Sequence, residues 1–169
     1  SGMFTSPRFP NEGLAVLFHE ISHQLLYERF IEEVSDPRPY IQLFKAFEDL
    51  AAAAGFEIPM PEVSHNPYFG IFDESTYVFD GTTEFNREID SYGHPSDNFS
   101  ELFASTMTIM RFWPSQFIAK YEGLDPEVRR VVKGVPQAIL RMLDWKGEHT
   151  EEDLKALIPE IDKIRQAFS

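Results

Sequence analysis

Residues 19–23 read His19-Glu20-Ile21-Ser22-His23. At spacing i, i+4 on a helix, both imidazoles project from one face about one turn apart. That is the separation two ligands of a tetrahedral zinc ion require. Glu20 sits about 100° around the helix from His19. There it can stand near a metal without ligating it and accept a proton from an activated water. The plainer alternative is a pair of core histidines beside a surface glutamate. Two imidazoles held close on a largely apolar helix are costly unless something pairs them. With 5 His in 169 residues, the bare motif arises by chance at about 1.5% in a chain of this composition.

A catalytic zinc site needs a third protein ligand if water is to hold the fourth position. The chain has no Cys, so that ligand is a histidine or a carboxylate. A metzincin would place a histidine six residues after His23, where this chain has Arg29. The acidic candidates are Glu48, Asp90, Asp97 and Glu101, and the remaining histidines are His65, His94 and His149. Glu48, in Phe47-Glu48-Asp49, also reads simply as a solvated helix position. Glu101 shares a helical face with Ala104, Ser105 and Thr108, small residues that allow a second helix to approach closely. Its competing role is a capping box with Asn98, three residues earlier.

The elements that would position these groups are mainly helical. Asn11 can cap a first helix running to about Val34, with Leu14, Leu17, Phe18, Ile21 and Leu25 on one face. Asp36-Pro37 starts a second helix, with Ile41, Phe44, Phe47 and Ala51 in register and Gly55 as its stop. Residues 55–67 carry three prolines and read as a loop. Tyr68–Phe72 and Ser75–Phe79 are aromatic-rich runs flanking Asp73-Glu74, which predicts a β-hairpin. Asp80-Gly81 and Tyr92-Gly93-His94-Pro95 are turns, and a helix spans about Asn98 to Phe112, ended by Pro114. Short helices follow, punctuated by Gly123, Pro126, Gly134, Pro136, Gly147 and Pro159. The expected fold class is mainly α (α+β), one domain over residues 3–169 with a small hairpin between the His helix and the Glu101 helix.

This set of residues resembles the catalytic domain of anthrax lethal factor and its gluzincin relatives, the Pro-Pro endopeptidases and titration-factor-type peptidases. In those proteins an HExxH helix is followed by a loop carrying a functional Tyr, then by a helix reading Glu-x-Phe-Ala. Here Ile89-Asp90-Ser91-Tyr92-Gly93 precedes Glu101-Leu102-Phe103-Ala104 in the same order. The resemblance covers the His helix and residues 89–112, a minority of the chain. It implies a zincin-like peptidase with His19, His23 and Glu101 as zinc ligands and Glu20 as general base. It also implies Tyr92 as the hydroxyl facing the tetrahedral oxyanion. Two departures stand out. Tyr92 and Glu101 are nine positions apart, more than in the relatives, so His94 is the competing oxyanion donor. Only 18 residues precede His19, where the relatives place a sheet whose edge holds the peptide. Either the hairpin at 68–79 supplies that edge or the chain is part of a longer protein. Asp90 is a candidate to orient one ligand histidine from behind.

Charge narrows the partners. The net charge is −13, which argues against nucleic acid or an anionic membrane as partner. Residues 1–92 hold 16 acids and 5 bases, whereas residues 93–169 hold 12 and 10. The acidity thus gathers in the half carrying HExxH and predicts a preference for basic peptide substrates. Residues 3–13 contain Pro, Asn and Glu where a secretory signal needs an apolar stretch. The expectation is a zinc-dependent peptidase acting on peptides or proteins, and the competing one is an inactive zincin-fold binding domain.

Overall fold

The structure, a computed structural model, describes residues 12–28, 37–55, 67–78, 95–96, 98–145 and 149–169. The helices are α1 (Glu12–Leu25), α2 (Arg38–Ala54), α3 (Ser75–Val78), α4 (Phe99–Phe112), α5 (Pro114–Glu122), α6 (Pro126–Val132), α7 (Gly134–Leu143), α8 (Glu151–Leu157) and α9 (Ile161–Ala167). A 3-10 turn, Gly70–Phe72, precedes α3. No strand occurs among the described residues, so the fold there is mainly α. Also among them, no helix is long and apolar enough to cross a membrane.

The helix ends follow local chemistry. Gly55 closes α2 in the left-handed region, φ 75°, its N–H bonding back to Ala51 and Ala52. A residue without Cβ takes that conformation at no steric cost. Asn98 caps α4 by accepting the Glu101 N–H at 2.9 Å. Pro114 and Pro126 open α5 and α6, where a missing N–H costs nothing. Thr150 and Asp153 form a reciprocal capping box on α8.

Helix α4 is the axle of the fold, with every residue from Leu102 to Met110 buried. A helix buried on all sides must be surrounded by other elements. Here α1 packs chiefly against α4, which also meets α2, α5 and the 3-10 turn, while α2 lies on α6 and α7. The buried hydroxyls of Thr106 and Thr108 bond to carbonyls one turn back, so they enter this core already satisfied. Phe18 of α1 meets Phe112 edge-to-face at 6.0 Å, an arrangement favoured by the ring quadrupoles.

Two sequence expectations are corrected. The first is the hairpin: over 67–78 the chain makes the 3-10 turn and the single-turn helix α3 instead. Asp73 decides this, its carboxylate accepting from the N–H and hydroxyl of Ser75 and its carbonyl from Thr76. These bonds cap a helical turn where a hairpin would need a ladder. The aromatics belong to the core: Phe69 and Phe72 are fully buried, and Phe72 packs on Phe117 at 6.0 Å. The second is the buried face of α1. Leu14, Leu17 and Ile21 are about half exposed, and Ala15, Phe18, His19, Ser22 and the following Leu26 point inward. The side that α1 turns to α4 is therefore the one bearing the histidines.

Candidate metal centre

One turn of α1 sets the spacing of His19 and His23, and α4 brings Glu101 to them. His19 is 4% exposed; His23 and Glu101 are partly buried. The Glu101 carboxylate spans both rings, with Oε2 3.1 Å from His19 Nε2 and Oε1 2.8 Å from His23 Nε2. The two Nε2 atoms are 3.1 Å apart. Glu101 thus leaves its helix-capping role to Asn98 and turns its side chain to the histidines. Ala104, Ser105 and Thr108, on the same face of α4, are fully buried and small, which lets α1 come this close.

The far nitrogen of each ring is engaged. His19 Nδ1 donates to the buried Glu74 Oε1, and His23 Nδ1 lies 2.8 Å from Ser100 Oγ. Those partners hold the two rings with both Nε2 atoms turned toward Glu101. Ligand atoms about 2.0–2.1 Å from one tetrahedral zinc ion stand about 3.3 Å apart. The two imidazole nitrogens, 3.1 Å apart, stand close to that spacing, and one ligand atom from each of the three residues lies within 4.8 Å of the others. Two imidazole nitrogens and a carboxylate oxygen are also a donor set suited to zinc. His19, His23 and Glu101 are the one such group among the described residues.

The electrostatics express the same convergence. Burial pushes the His19 imidazole down, but hydrogen bonds and attraction from Glu101 and Glu74 outweigh it and lift its pKa to about 10. For Glu101, burial pushes upward, and the bonds and charges of His19 and His23 bring the carboxyl down to about 2. Glu74 is raised by burial, which its bond to His19 only partly offsets. A carboxylate on each nitrogen favours the doubly protonated ring, and a cation held at Nε2 would have to displace one of those protons.

The remaining sequence candidates separate cleanly. Glu20 is adjacent to His19 and exposed on α1, outside the group of three. Glu48 is exposed on α2, as its reading as a solvated position expected, and His149 lies just ahead of α8, apart from the cluster. Tyr92, Asp90, Asp97, His65 and His94 lie outside the described residues. The residue that sequence reasoning missed is Glu74, taken as part of a hairpin turn. Its one signal was a carboxylate pair set inside the aromatic run from Phe69 to Tyr77. Comparisons with protein-family models, with curated proteins and with solved structures return no match.

Proposed function

We propose that this chain is a zinc-dependent peptidase of the zincin-like, gluzincin type. The observation that carries the reading is the meeting of His19 Nε2, His23 Nε2 and the Glu101 carboxylate within 3.1 Å of one another. Zinc held by these three would supply Lewis acidity, acidifying a water and polarising a peptide carbonyl. Glu20, exposed beside His19, accepts the attacking water's proton and returns it to the leaving amine. Tyr92, or His94 in its place, donates to the oxyanion, a role carried by the family resemblance. The acidic first half favours basic peptides.

Metal analysis of purified wild type beside Glu101→Ala tests the ligand set. Stoichiometric zinc in wild type and its loss in the variant are expected; full retention rejects Glu101 and reopens Glu48. Glu20→Gln is expected to keep zinc and to slow cleavage of a diverse peptide library by about 10²–10⁴-fold, the usual worth of a general base. Unchanged cleavage by that variant refutes the peptidase reading. A second reading, a zinc-holding binding domain without activity, draws on the lack of any strand among the described residues on which a peptide could align. Wild type that holds zinc and cleaves no library member selects it.

A further inference from the structure

Glu74 is an expensive residue where it stands. It is 2% exposed, in a segment whose neighbours Phe69, Phe72 and Tyr77 are all buried. Its Oε1 meets His19 Nδ1, and the Ser105 hydroxyl of α4 supports the same carboxylate. Buried ion pairs add little stability over apolar residues of like size. Stability therefore does not account for a carboxylate at this position.

The segment around it is built to hold one geometry. Asp73 forms the turn that begins α3, through Ser75 and Thr76. The Tyr77 hydroxyl bonds the Ile71 carbonyl at 2.7 Å, and the Tyr77 ring stacks on Trp113 with centroids 6.0 Å apart. Lys120 ties the same turn to α5 through the Thr76 carbonyl and hydroxyl. The anchoring elements are α4 and α5, and α4 also carries Glu101. The geometry points to Glu74 as a positioning residue for the metal site. It fixes the His19 ring with Nε2 toward Glu101 and His23, and its negative charge strengthens that nitrogen as a ligand. The inference rests on the metal reading of His19, His23 and Glu101. Among the described residues His23 has the neutral Ser100 hydroxyl behind it, so the two histidines are unequal ligands and His19 is the stronger donor.

The test is zinc affinity, measured by chelator competition on the full chain, of wild type, Glu74→Gln and Ser100→Ala. Glu74→Gln keeps the side-chain shape and removes the charge. Its affinity is expected to fall about 10–100-fold, the usual effect of losing such a partner, and Ser100→Ala is expected to lose less. Wild-type zinc binding with equal affinity in folded Glu74→Gln overturns the inference and leaves the ligand set standing. Wild type that binds no zinc overturns both. Should Glu74→Gln fail to fold, nitrogen-15 NMR of zinc-loaded wild type decides. The expected signature is a proton on His19 Nδ1 in a strong hydrogen bond; a proton on Nε2 overturns the assignment.

Discussion

On the proposed reading, zinc entering this site would have to displace a proton from His19, and the consequence can be worked from the geometry. Carboxylates on both ring nitrogens raise the imidazole to about pKa 10, so at pH 7 about one molecule in a thousand has the neutral ring a metal needs. Removing that proton at pH 7 costs about 4 kcal/mol, at about 1.4 kcal/mol per pH unit. Apparent zinc affinity should therefore rise at least about tenfold per pH unit between pH 6.5 and 8.5. The sign for stability follows the same linkage. A histidine with a folded-state pKa above its unfolded value of 6.5 contributes stability in full below pH 6.5. That contribution fades as pH climbs through about 10 in protein stripped of metal. Bound zinc reverses the trend, so the rise in Tm on adding zinc should grow with pH across this window. The assay pairs chelator competition at several pH values with nitrogen-15 NMR of the His19 ring. Chelator-treated protein should show both ring nitrogens protonated at pH 7, and zinc-loaded protein only Nδ1. A singly protonated ring in the stripped protein with a flat affinity profile would refute the reasoning.

Ser105→Leu places added volume one turn beyond Glu101 on α4, at a fully buried position beside Glu74. It should cost about 1–3 kcal/mol and part Glu101 from the histidines, giving a lower Tm together with weaker zinc retention. Asn98→Ala removes the cap on the Glu101 N–H and should cost about 1 kcal/mol; thermal unfolding would show the drop while metal content stays near wild type. The preference for basic peptides should be strong at low salt and fade as the Debye length shrinks from about 30 Å at 0.01 M to about 8 Å at physiological salt. A library cleaved with equal preference for acidic and basic members at low salt removes the steering argument.

How much of this was legible in the sequence depended on the distance over which each decision is made. His19 and His23 share one helical turn, so four residues of spacing already state that both rings face the same way. Glu101 was readable because its helix carries small residues beside it, and Gly55, Asn98 and Pro114 act on their own neighbours. The inward face of α1 was misread because hydropathy counted leucines and ranked histidine as polar. Once Glu101 and Glu74 pair them, the imidazoles bury more fully than Leu14, Leu17 and Ile21, and the motif overrules the periodicity. The segment 67–78 shows the limit most sharply. Its aromatic and β-branched composition fits a strand, and nothing local reports that Glu74 will meet a histidine 55 residues away. Yet a carboxylate pair within an aromatic run poses a question that composition alone can raise. Asp73 answers half of it by making the turn. A buried charge that makes no turn needs a partner elsewhere in the chain, and the far ring nitrogen of the buried His19 is that partner.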